Sequence, residues 1–191
     1  MRITSTMNKC FLLACCAALA WAPLQATASG KHQLVVEFGD QSSVAIDVVG
    51  GKVKAQYQDA QDARSGVTVQ PELQRAVLKA TSMVYLMNDQ QSQAIVVISE
   101  PSKKVQSTGF CGAGYEDYAV LIEKKKDVVM LKDRYLLQSC LKSITVDATN
   151  PDDIRTGLKT NAGDFSITYT HLEDPAKKTT LHVNNGKILD K

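Results

Sequence analysis

The sequence predicts an α+β protein of mainly antiparallel β structure, with about nine strands in hairpins, two short helices and one disulfide. Three observations carry that prediction. Short runs rich in Val, Ile, Tyr and Thr recur along the chain, several of them joined by Gly-bearing links that suit hairpin turns. No strand–helix alternation extends along it, as a parallel sheet would require. Two cysteines remain once the first 28 residues are set aside. The length of 191 residues suits one domain over 29–191, and 44% hydrophobic with 22% charged residues excludes a disordered or collagenous chain.

Residues 1–28 read as a cleaved secretory signal peptide. Arg2 and Lys9 form the basic start, FLLACCAALAW the apolar centre, and Ala26-Thr27-Ala28 the small-residue cleavage box. The apolar centre falls short of the roughly 20 residues a membrane-spanning helix needs. Met7 is an alternative start. Cys15, after Leu12-Leu13-Ala14, is an alternative lipidation site that would make the protein an anchored structural component of the envelope. No later stretch reaches spanning length, so the expected location is periplasmic or secreted. Removing Arg2 and Lys9 leaves 20 basic against 20 acidic residues, a balance that argues against a nucleic-acid partner. Cys10, Cys15 and Cys16 leave with the leader. In an oxidising compartment the remaining Cys111 and Cys140 are expected to pair.

Taken in order, 33–38 (QLVVEF) and 43–49 (SVAIDVV) have strand composition, and Gly50-Gly51 turns the chain into a third strand over 52–57. The polar stretch 58–66 reads as a loop. Pro71 opens a helix over 71–80, in which Leu73, Ala76, Val77 and Ala80 share one face. Strands come next at 82–87 and 94–99, and a polar loop leads from Pro101 to Cys111. The runs 117–123 (DYAVLIE) and 128–137 (VVMLKDRYLL) form a hairpin. A turn centred between Lys125 and Lys126 would pair Ile122 with Val129 and Val120 with Leu131. The same register brings Cys111 opposite Cys140. Another strand is expected at 143–147, a second short helix at 151–159 behind Asn150 and Asp152-Asp153, and an alternating strand at 165–171. Asn185-Gly186 signals a last hairpin between TTLHV and KIL.

Chemistry leaves little mark on the sequence. The segment 109–117 (GFCGAGYED) combines small residues, aromatic groups and two acids. It lacks the Gly-Lys-Ser/Thr ending and succeeding helix of a phosphate loop. There is no G-x-S-x-G elbow and no H-E-x-x-H motif, and His32, His171 and His182 show no ligand spacing, so neither a metal nor a cofactor is expected. The candidate binding loop comprises Gly112, Gly114, Tyr115, Glu116 and Tyr118. Lys124, Lys125 and Lys126 are candidate contacts at the hairpin tip. The function these features suggest is an exported soluble binding protein, of inhibitor or immunity type, that recognises another protein in the envelope. The suggestion rests on architectural analogy. Its rival is an envelope enzyme with a site near Glu116 and Asp117, although neighbouring acids on a strand face opposite ways. On the binding reading, Tyr115→Ala or Glu116→Ala weakens binding without lowering stability.

Overall fold

The computed structural model describes residues 33–58, 66–89, 91–102, 114–150, 153–161, 164–184 and 186–190. The signal peptide, the Cys15 anchor, Cys111 and Gly112 lie outside them. The described chain forms thirteen strands, one α-helix and one 3-10 turn, arranged as a three-stranded and a ten-stranded sheet. It is mainly antiparallel β, as expected, with more strands than the nine read from sequence.

The small sheet is a meander of β1 (Gln33–Glu37), β2 (Ser43–Val49) and β3 (Lys52–Tyr57). Gly50 and Gly51 link its last two strands with φ of +58° and +74°, a turn that L side chains would strain. Next come the two-residue β4 (Thr68–Val69) and α1 (Pro71–Lys79), which buries Leu73, Ala76 and Val77 as their spacing predicts.

The large sheet contains β5 (Ser82–Asn88), β6 (Gln93–Pro101), β7 (Tyr115–Lys125) and β8 (Val128–Ser139) in consecutive antiparallel pairs. It continues through β9 (Ile144–Val146), β11 (Asp164–His171), β12 (Asp174–Asn184) and β13 (Lys187–Asp190). Two short strands escape a sequence reading: β4 pairs parallel with the start of β8, and β10 (Leu158–Asn161) pairs with β11.

Both faces of β6 and β7 are buried, which explains their nearly continuous apolar runs. On one face Val96, Ile98, Val120 and Ile122 pack against α1 and the small sheet through Leu73, Val36, Phe38 and Ile46. On the other, Ile95, Val97 and Leu121 meet Phe165, Ile167, Leu181 and Ile188 from the far end of the same sheet. The large sheet therefore curls back over itself. An Asp133 carboxylate oxygen of β8 accepts the Ile188 backbone N–H of β13 at 2.7 Å across the curl.

Two local expectations are overturned. In place of the helix over 151–159, the described residues hold one 3-10 turn, Ile154–Gly157, succeeded by β10. Asp153 caps that turn by accepting the Arg155 N–H. Gly157 ends it in a buried niche where a Cβ would lie 2.9 Å from the Val146 side chain, and pairing with β11 claims the next residues. The β7–β8 register also differs. The turn residues are Lys126 and Asp127, with Lys126 at φ +53°, so Lys124 opposes Val129 and Ile122 opposes Leu131. Irregularities after Ile122 and Tyr118 advance β8 further, placing Val120 opposite Arg134 and Glu116 opposite Ser139. The ladder thus runs Cys140 toward Tyr115, while Cys111 lies outside the described residues. Cys140 does not stand as a free thiol.

Candidate functional site

Strand alternation divides the candidate loop into two chemically different halves. Tyr115 and Asp117 face one way, Glu116 and Tyr118 the other. Glu116 is fully committed within the fold. One carboxylate oxygen accepts the Tyr118 hydroxyl at 2.7 Å and the other accepts the buried Ser139 hydroxyl at 3.0 Å. Ser139 in turn accepts the Lys142 N–H at 3.1 Å. Arg134 stacks 3.5 Å from the centre of the Tyr118 ring and forms an ion pair with buried Glu100 at 3.0 Å. Burial, then the bond to Glu116, pushes the Tyr118 phenol up from its ordinary pKa. Gly114 uses its carbonyl to accept the Ser102 N–H.

The Tyr115 face is open. Tyr115 is 56% exposed and stands at the rim of a cleft of about 620 Å³ floored by Ser82, Ser99, Asp117 and Gln138. Burial raises the Asp117 carboxyl above the usual carboxylate range, against a hydrogen bond from Ser99. Ser82 donates to Ser99 at 2.9 Å and completes a short polar chain. A contiguous hollow adds Arg155, whose guanidinium is clasped by Asp153 at 2.7 and 2.8 Å. Among the described residues neither His171 nor His182 lines this cleft, and no group of His, Cys, Asp and Glu is placed to hold a metal.

Two further exposed apolar residues mark the same end of the molecule. Leu141 lies in the β8–β9 turn, 49% exposed, and Leu172 in the β11–β12 turn, 59% exposed. The Leu172 N–H donates to the Ser143 carbonyl at 2.7 Å and ties the two turns together. Large apolar residues in tight polar turns were the sequence signal for both. The cleft floor had none, because Ser82, Ser99 and Gln138 meet Asp117 only through strand pairing.

The three lysines of the hairpin tip divide similarly. Lys124, only 9% exposed at its side chain, forms an ion pair with Asp40 at 2.6 Å and a hydrogen bond with Ser42. Its ammonium lies 5.5 Å from the ring centres of both Phe38 and Tyr57. This lysine clamps the large sheet to the small one. Partial burial favours the neutral Asp40 carboxyl, but the bonds from Lys124 and Ser42 outweigh it and hold the pKa at about 2. Lys125 is exposed and pairs with Glu123 at 3.1 Å, while the Lys126 carbonyl accepts the Tyr57 hydroxyl at 3.1 Å. β7 separates this tip from Tyr115 by about 33 Å at 3.3 Å per residue. The two sequence candidates occupy opposite ends of one hairpin.

Comparison with protein-family models, curated proteins and solved structures returns no match. A functional reading therefore rests on the site itself. Among the described residues no helix is long and apolar enough to cross a membrane.

Proposed function

We propose that the protein is an exported, soluble binding module of inhibitor or immunity type, and that the Cys140 end receives a partner protein in the envelope. The observation that carries this reading is the gathering of exposed Tyr115, Leu141 and Leu172 at one end, beside a polar cleft. Aromatic and apolar anchors around a pocket that accepts a side chain are the usual ingredients of a protein interface. The reading includes the Cys111–Cys140 bridge, which would tether the 109–113 segment beside Tyr115. It also includes removal of the leader after Ala28.

The test is capture from the native envelope with the tagged mature protein, in parallel with a Tyr115→Ala/Leu172→Ser variant. A stoichiometric partner retained by the parent and lost from the folded variant is the expected result. A partner retained equally by both would place the interface elsewhere. Intact mass under non-reducing and reducing conditions checks the remaining parts: a chain beginning at Ser29, and a gain of two hydrogens on reduction.

A further inference from the structure

At the end of the molecule opposite the Cys140 face, a second cavity enters the curl of the large sheet. We propose that it is a binding site for a small uncharged amphipathic molecule, with an apolar body of roughly ten non-hydrogen atoms and a hydroxyl or amide head. The cavity measures about 270 Å³ and is walled by Met87, Ile95, Leu121, Phe165 and Val183. Three of these, Ile95, Leu121 and Phe165, belong to the buried core between the two halves of the sheet. An apolar cavity of about 150 Å³ holds benzene, so this one holds nearly twice that bulk.

Its construction argues for a shaped site over a packing fault. Along β5, Met83 and Tyr85 pack toward α1 and the small sheet, while Val84 and Leu86 pack into the curl. Regular alternation would send Met87 back to the first side. An irregularity in the β5–β6 pairing between Tyr85 and Met87 turns it into the curl instead, where it lines the cavity. Bulges re-aim side chains in this way beside functional sites.

The mouth is polar and preformed. One Asp89 carboxylate oxygen accepts the backbone N–H groups of Gln91 and Gln93, both at 2.9 Å, and fixes the connecting loop. Gly186, at φ +72°, lets the Gln93 side-chain amide approach, since a Cβ there would lie 3.3 Å from its nitrogen. The described mouth residues supply amide groups and a carboxylate, and among the described lining residues none is Lys or Arg. An anionic head would therefore be desolvated beside Asp89 without a counter-charge, which disfavours a fatty acid. A neutral head that donates to Asp89 and exchanges hydrogen bonds with Gln93 suits the chemistry. Apolar walls with a few convergent polar groups are the usual make-up of small-molecule sites.

The test is methyl NMR of the mature protein titrated with 1-octanol, indole and octanoate. The expected result is saturable shifts at the Met87, Ile95, Leu121 and Val183 methyls with the two neutral probes. Dissociation constants should be on the order of 0.1 mM for ligands of this size. Octanoate should bind at least about tenfold more weakly. Val183→Phe, which fills the cavity from a partly exposed strand position, should abolish the octanol shifts, and Met87→Phe serves if that variant does not fold. Absence of saturable shifts with both neutral probes overturns the proposal, as does unchanged octanol binding in a folded cavity-filled variant. Equal affinity for octanoate overturns the assignment of a neutral head. None of these outcomes depends on the protein partner proposed for the opposite end.

Discussion

At Asp117 burial opposes ionisation, so the folded carboxyl binds its proton more tightly than the unfolded one. Its contribution to stability is full below the ordinary carboxylate pKa and is lost as pH rises through the raised folded value. Asp117→Asn keeps an acceptor for Ser99 and removes that loss. Urea melts from pH 3 to pH 7 should show the variant gaining on the parent as pH rises, and parallel curves would contradict this origin of the shift. Glu116, one residue earlier, is held by two side-chain hydrogen bonds. Its removal strands the Tyr118 and Ser139 hydroxyls, so Glu116→Ala should cost roughly 1–3 kcal/mol. Tyr115→Ala, at an exposed strand end, should stay within about 0.5 kcal/mol of the parent. Equal stability losses in the two variants would show that exposure and bonding do not separate these residues. The hydrogen bonds of Glu116 thus set it apart from Tyr115, although the sequence suggests that both changes spare stability.

Among the elements, the 3-10 turn and β10 show why a polar, acid-rich segment with a helix-entry pattern does not become a helix. Asp153 supplies the cap that the sequence signals, but Gly157 and the open edge of β11 divert the chain into a strand. Gly157→Ala tests that account. The added methyl would lie 2.9 Å from the Val146 side chain and 3.0 Å from the Asp147 carbonyl oxygen, and overpacking of this kind costs about 1–3 kcal/mol. A thermal melt unchanged from the parent would show that the niche yields freely. The β7–β8 hairpin was legible as an element, since its two apolar runs and polar link are plain in the sequence. Its register was not. Composition does not reveal that the turn falls at Lys126-Asp127, nor the two irregularities that each move the pairing on by a residue, so the expected register was lost while the hairpin itself stood.

For the whole molecule, the attachment of the small sheet runs through an apolar core supplemented by the Lys124 clamp. The Asp40 pKa of about 2 is depressed below its ordinary value of 3.8. The clamp therefore stabilises the fold above that ordinary value and is lost as pH falls through about 2. Because Asp40 is half exposed, the effect should be modest. Hydrogen exchange between pH 4 and 2 should show protection falling more in β1–β3 than in β6 and β7, and Asp40→Asn should abolish the difference. A uniform loss across both sheets would show that the clamp does not govern docking. The same arrangement leaves the two ends of the β7–β8 hairpin with different surroundings: an apolar and polar-cleft face at the Cys140 end, and a core cavity toward the other.

The sequence by itself determined the antiparallel β character, the hairpin at Gly50-Gly51, the helix opened by Pro71 and the alternating strand ending at His171. These depend on local properties: φ preferences of Gly and Pro, and the spacing of apolar residues along one element. It also drew attention to Tyr115, which stands 56% exposed. The partners of each strand, the curl of the large sheet, the burial of Lys124 and both cavities were decided only in the tertiary structure. Each depends on residues far apart in the chain being brought together, as Lys124 meets Asp40 and Phe165 faces Leu121, and one added residue in a strand reverses the face that its neighbours present.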